Sequence, residues 1–281
     1  MSDIRPAWSE TFLDGAGPAP ALALPGAVTR AWAYGDARGR GVRVAVIDSG
    51  IDADHPDVGG VAAAVEVLVD ENDPDAVVVR EGPHGDLYGH GTACASLIRA
   101  VAPDVELISV RVLGPNLRGS ADAFAAAIEW CVEHGVDVVN LSLSTSNVGY
   151  LPAFWSLVDR AAFAGVLLVS AMNNERKRTI PSELAGVCSV ACGPGHDLER
   201  VWCNPHGPAE WGAAGIEMDV AWKDGGRVIA SGNSFSAAVI TGHLARIVAA
   251  HPGLAPWQAR TVLAAVAVNA ERPGRLSPGV R

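Results

Sequence analysis

Residues 43–58 read RVAVIDSGIDADHPDV, and the opening of this stretch decides the fold. Val44, Ala45, Val46 and Ile47 follow one another without the polar alternation of a strand that is wet on one side. Such a run predicts a strand buried on both faces, the kind found in parallel sheets with helices above and below. Asp48 ends the run, and Ser49-Gly50 behind it reads as a turn. Working outward, the same signal recurs in AAVEVLVD (63–70), VELISVRVL (105–113), VDVVNLSL (136–143) and VLLVSA (166–171). Helical segments alternate with these strands: HGTACASLIRA (90–100), SADAFAAAIEWCVEHG (120–135) and LPAFWSLVDRAAFAG (151–165). Gly135 and Gly165 stand where a helix should stop and a strand begin. Two more helical signals follow, SFSAAVITGHLARIVAAHP and APWQARTVLAAVAV. The expected class is α/β, a mostly parallel central sheet with helices on both faces, and ligands bind such sheets beyond the carboxyl ends of the strands.

The chain has 281 residues, 49% of them hydrophobic, enough for one sizeable core. Residues 14–26, DGAGPAPALALPG, are rich in Gly, Pro and Ala, so residues 1–24 are expected to form a flexible lead-in and residues 25–281 a single domain. A formal charge of −10 argues against sequence-independent nucleic-acid binding, which needs a basic face. The N-terminus shows no basic stretch leading into an apolar core, and no apolar run reaches the roughly 18 residues of a membrane span. Five cysteines, an odd number in a chain of this length, read better as thiols in a reducing compartment than as a disulfide framework. The expected location is the cytoplasm, with no membrane, no nucleic acid and no cofactor. Oligomeric state is not legible.

Three segments place a reactive residue at an element boundary. RVAVIDSGID puts Asp48 at a strand end, while GHGTACASL and SGNSFSAAVITG put His90 and Ser234 at helix starts. Each has an ordinary structural reading, as a turn residue, a helix start and an N-cap. Together they are the parts of a serine hydrolase: a hydroxyl nucleophile, an imidazole that takes and returns its proton, and a carboxylate that orients the imidazole. The order Asp, His, Ser separates this chain from the α/β-hydrolases, whose serine precedes both partners and lies in G-x-S-x-G. Gly91 and Gly232 are expected to leave room for a substrate.

VAVIDSGIDADHPDV, GHGTACASLI and GNSFSA resemble the three signature segments of the subtilisin-like serine proteases, over about Pro25 to Asn269. The resemblance implies a three-layer fold and a peptidase acting on peptides or proteins. It implies Asp48 as orienting carboxylate, His90 as general base and Ser234 as nucleophile. LLVSAMNNE is similar to the family's oxyanion-hole stretch and implies Asn174, with Asn173 as the competitor. Ser142, Leu143 and Ser144 match one wall of the primary specificity pocket, and Leu117, Arg118 and Gly119 match the opposing substrate-binding strand. A catalytically silent peptide-binding module, or a protease dedicated to one cytoplasmic precursor or leader peptide, are the alternatives that this reading leaves open.

The departures are local. Asn233 stands where the family has Thr, Ala238-Val239 where it has Pro-His, and Ser144 where it has Gly. The segment after His90 passes almost directly into VAPDVELISVRVL, so the calcium-binding loop of secreted relatives is not expected, nor is a folding-assisting propeptide in the residues ahead of Asp48. Cys188, Cys192, Cys203 and His206 have the composition of a zinc site. GVCSVACG reads as a strand, however, and residues four apart on a strand are ~13 Å apart, too far for shared ligation, so no metal is expected. Arg118 and the run Glu175-Arg176-Lys177-Arg178 read first as a solvated loop, with a preference for acidic residues near the scissile bond as the sharper alternative.

Overall fold

A computed structural model describes residues 24–70, 72–73 and 76–270. The lead-in expected for residues 1–24 lies, apart from Leu24, outside the described residues. In chain order the strands are β1 (Arg43–Asp48), β2 (Ala63–Val69), β3 (Val77–Glu81), β4 (Glu106–Arg111), β5 (Val138–Leu141), β6 (Leu167–Ala171), β7 (Cys188–Cys192), β8 (Trp202–Cys203), β9 (Trp211–Ala213), β10 (Met218–Trp222) and β11 (Gly226–Ala230). The α-helices are α1 (Arg30–Tyr34), α2 (His90–Val101), α3 (Ala121–Glu133), α4 (Leu151–Phe163), α5 (Asn233–Ala250) and α6 (Pro256–Ala265).

Nine strands form one sheet in the order β3-β2-β4-β1-β5-β6-β7-β9-β8. Only the outermost pairs, β2 with β3 and β8 with β9, are antiparallel. β10 and β11 pair with each other in a separate antiparallel ribbon. β1 lies well inside the sheet, flanked by β4 and β5 in parallel register. Its side chains divide strictly. Val44 and Val46 enter the core shared with α2, α5 and α6, whereas Ala45 and Ile47 enter the core shared with α3 and α4. The uninterrupted apolar run is thus a strand with two dry faces, and the three layers follow from it. Gly135 and Gly165 follow α3 and α4 with φ of 64° and 83°, the left-handed stop their positions predict. No helix among the described residues is long and apolar enough to cross a membrane.

α5 runs through the centre of the first core, and its middle is tied to α1. The buried His243 ring sits between the Tyr34 hydroxyl, 3.0 Å from Nδ1, and the Leu198 carbonyl, 2.8 Å from Nε2. Burial pushes the imidazole down to about 4, against the help of the Leu198 carbonyl and Glu199. A histidine depressed in this way is neutral in the fold and takes up a proton on unfolding. Its contribution is whole above pH 6.5 and is lost as the pH falls towards 4, on the order of 3 kcal/mol in all. Urea unfolding of the wild type and of His243→Gln at pH 7 and pH 4 checks this: the stability of the variant should fall less over the same interval.

Candidate active site

Asp48 ends β1 with no exposed surface, and its backbone carbonyl accepts the N–H groups of Val112 and Leu113, which fixes the strand end. One carboxylate oxygen accepts the Ser49 N–H at 2.7 Å. His90, the first residue of α2, donates from Nδ1 to both carboxylate oxygens, at 2.8 and 3.0 Å. That contact assigns the tautomer: Nδ1 carries the proton, and Nε2 is left with its lone pair. The imidazole is only 16% exposed. Burial opposes its protonation, but the charge and hydrogen bond of Asp48, with the further charge of Asp86, outweigh burial and hold it above its ordinary value.

The approach of α2 to β1 is close. A methyl group on Gly91 would lie 2.0 Å from the Gly50 carbonyl oxygen and 3.1 Å from Asp48 Cβ. Gly91 therefore makes room for the protein's own backbone, not for a substrate as its sequence position suggests.

Ser234 is the second residue of α5 and 8% exposed. Its neighbour Phe235 lies against His90, ring centroids 5.8 Å apart. The Asp48–His90 half of the expected triad is hydrogen-bonded, whereas no hydrogen bond joins Ser234 to His90. Beneath the three residues runs a buried polar chain that the sequence did not reveal. Thr241 of α5 donates to Asn140 Oδ1 at 3.1 Å, Asn140 donates to Ser142 Oγ at 2.8 Å, and Cys94 Sγ lies 3.3 Å from Ser142 Oγ and 3.9 Å from the Ser234 carbonyl. Burial, and then the charge of Asp48, hold the Cys94 thiol well above its ordinary value. Cys94 lies with Asp48 and His90 in a cluster whose ligand atoms fall within 4.8 Å of one another, and a thiol held in its protonated form is a poor nucleophile.

The two candidate asparagines have different work. Asn173 Oδ1 accepts the Glu175 N–H at 2.8 Å, closing a local turn. Asn174 Oδ1 accepts the Asn233 N–H at 3.0 Å, beside Ser234, which leaves its amide Nδ2 about the turn at Gly232. A methyl group at Gly232 would lie 3.8 Å from that nitrogen. Asn233 itself is a three-way staple: its side chain accepts the Cys192 N–H at 2.9 Å and donates to the Met172 and Asn173 carbonyls at 3.0 and 3.3 Å.

Ser142, Leu143 and Ser144 leave the sheet just past β5, and the Ser142 hydroxyl faces inward to Asn140 and Cys94. Leu117, Arg118 and Gly119 are not a strand. They leave a turn in which Gly114 N–H donates to the Arg118 carbonyl and Leu117 has φ of 55°. In the basic run, Lys177 pairs with Glu175 at 2.5 Å and Arg178 with Glu183 at 2.7 Å. Cys188 and Cys192 stand at opposite ends of β7, and Cys203 lies on β8 with β9 between.

The Subtilase family pattern, peptidase S8, matches residues 39–193, more than half of the chain. A subtilisin-like protease of Coccidioides posadasii is 33% identical over 227 residues, 76% of this chain and 54% of the relative. A thermostable alkaline protease of Halalkalibacterium halodurans is 32% identical over 235 residues, 79% of this chain and 61% of the relative. The chain thus spans between half and two thirds of the length of these two proteins. Among solved structures, a cold adapted subtilisin-like serine proteinase superposes with a TM-score of 0.65 at 25% identity, over 80% of this chain and 82% of that one.

Removing the Asn233 side chain leaves an N–H and two carbonyls unpartnered at the junction of β6, β7 and α5. Asn233→Ala should cost about 2 kcal/mol in urea unfolding, as buried groups left without partners do.

Proposed function

The chain belongs to the subtilase family, and from that premise we propose that it is a serine endopeptidase working through Asp48, His90 and Ser234. The observation that carries this reading is the donation from His90 Nδ1 to the buried Asp48 carboxylate, which leaves Nε2 as the only basic nitrogen of the ring. In the proposed cycle the Ser234 hydroxyl attacks the scissile carbonyl while His90 Nε2 takes its proton. The imidazolium is stabilised by Asp48 and returns the proton to the leaving amine. Water then attacks the acyl-enzyme by the same route in reverse. Contacts between nucleophile and base are commonly long before substrate binds, and a change of Ser234 rotamer on binding would complete this one. The tetrahedral oxyanion is received by Asn174 Nδ2 and the Ser234 backbone N–H, at the positive end of the 18-residue α5.

The substrate is an extended peptide or protein, held between residues 142–144 and 117–119 by main-chain hydrogen bonds. We place the protein in the cytoplasm, a reading supported by five unpaired thiols, three of them buried. Ser144, with a hydroxymethyl group at the pocket mouth, supports a narrow substrate range such as the trimming of one precursor or leader peptide. Rapid digestion of unrelated unfolded proteins would exclude that narrower role.

Ser234→Ala should abolish cleavage of a peptide library and labelling by a fluorophosphonate probe while the fold is kept. Cleavage by this variant would overturn the assignment, and a wild type that neither cleaves nor labels would leave only a silent peptide-binding module. Asn174→Ala should lower kcat by ~10²–10³-fold, a magnitude carried over from subtilisin's own oxyanion asparagine. Because His90 is held above its ordinary value, kcat/KM should rise with pH through a midpoint above 6.5, read from rates between pH 5 and 9.

A further inference from the structure

The start of α2 lacks the usual side-chain cap. Its N-cap is Gly89, which has no side chain to accept from the first turn. Asp86 does this work from three residues earlier. One of its oxygens accepts the N–H groups of Tyr88 and Gly89, at 2.9 and 2.7 Å. The other accepts the N–H and the hydroxyl of Thr92, at 2.9 and 2.6 Å. A fifth donor comes from a different part of the chain: the hydroxyl of Ser49, the residue after Asp48, donates to Asp86 at 2.7 Å. Ser49 Oγ in turn accepts the Gly91 N–H at 3.2 Å, and Thr92 Oγ1 accepts the Asp52 N–H at 2.9 Å. One carboxylate therefore grips the backbone on both sides of His90 and the segment that leaves Asp48.

Charge gives this placement a second effect. His90 is the first residue of a 12-residue helix, where the helix dipole disfavours a cation. The catalytic cycle proposed above requires that cation. The groups that act on the ring or lie against it are Asp48 from β1, Asp86 from the preceding loop through its charge, the Cys94 thiol from α2, and Phe235 from α5. The Lys223 ammonium, beyond β10, lies farther off on the Leu87 carbonyl at 3.3 Å.

We propose that Asp86 is a positioning residue of this site: its carboxylate holds His90 in register with Asp48 and offsets the helix end that would otherwise oppose the imidazolium. The proposal rests on the triad reading above. Burial of the ring is the largest influence on its titration and opposes protonation, so a second negative charge behind Asp48 has a defined task.

The test uses the full chain, Asp86→Asn, and the His90 imidazole titration followed by NMR, in the wild type and in a Ser234→Ala background. Asp86→Asn keeps the size of the side chain and removes its charge. It should lower kcat/KM by on the order of tenfold to a hundredfold, the size expected when a charged hydrogen-bond partner is lost. It should also shift the His90 midpoint, and the acidic limb of kcat/KM, to lower pH. Asp86→Glu should recover part of the lost rate. An unchanged His90 midpoint in Asp86→Asn, with activity falling only as the folded fraction falls in urea, would overturn the proposal and leave Asp86 a plain helix cap. The titration in the Ser234→Ala background does not depend on turnover. If that background still cleaved peptides, the nucleophile assignment would fall while the midpoint comparison still decided the role of Asp86.

Discussion

A carboxylate with no exposed surface at the end of β1 sets the terms for the rest of this site. Burying such a group costs several kcal/mol unless its oxygens are hydrogen-bonded and a cationic partner is near. Asp48 finds its partners in the Ser49 N–H and His90 Nδ1, so the first turn of α2 must come down onto the end of β1. That approach leaves no space for a β-carbon at position 91. It also brings the α2 N-terminus within reach of Asp86 and Ser49, which together satisfy donors that Gly89 cannot.

The second half of the site is held from below. Thr241, Asn140, Ser142 and Cys94 form a polar chain through the core and link α5, β5 and α2 under the Ser234 backbone. From the side, Asn233 ties the same turn to the ends of β6 and β7. The turn that carries the hydroxyl is therefore anchored to elements on three sides. Asn suits this position because its amide reaches two acceptors and a donor at once.

The parallel strands were legible in the sequence because burial on both faces forces an unbroken apolar run, and β1, β4, β5 and β6 came within a few residues of the expected bounds. β8 to β11 were not. β8 has two residues and β9 three, and β11, GRVIA, alternates between half-buried and exposed positions, so none carries a sustained pattern. The expectation of a strand at Leu117–Gly119 missed the Gly-Pro-Asn of residues 114–116, a turn signal that the structure honours. Asp48, His90 and Ser234 drew attention because each stands in a dense local motif, and the structure joins the first two by a hydrogen bond. Sequence alone favoured Asn174 over Asn173 only by resemblance, since neighbours of the same type differ in which backbone group each meets. Asn140 and Thr241 were hidden because they meet across 101 residues of chain, and Asp86 because the link from its local turn to Ser49 spans 37 residues.

The division of β1 between two cores carries a consequence for how such a site can change. Even-numbered residues of the strand look toward α2 and α5, odd-numbered ones toward α3 and α4, and Asp48 continues the even series. Gaining or losing a single residue within the strand would turn the whole series over and aim the carboxylate at the opposite layer, away from the imidazole. Between Arg43 and Asp48, then, residues can be exchanged only one for one, and the turn that follows is scarcely freer, since Ser49 and Gly50 are held against Asp86 and Gly91.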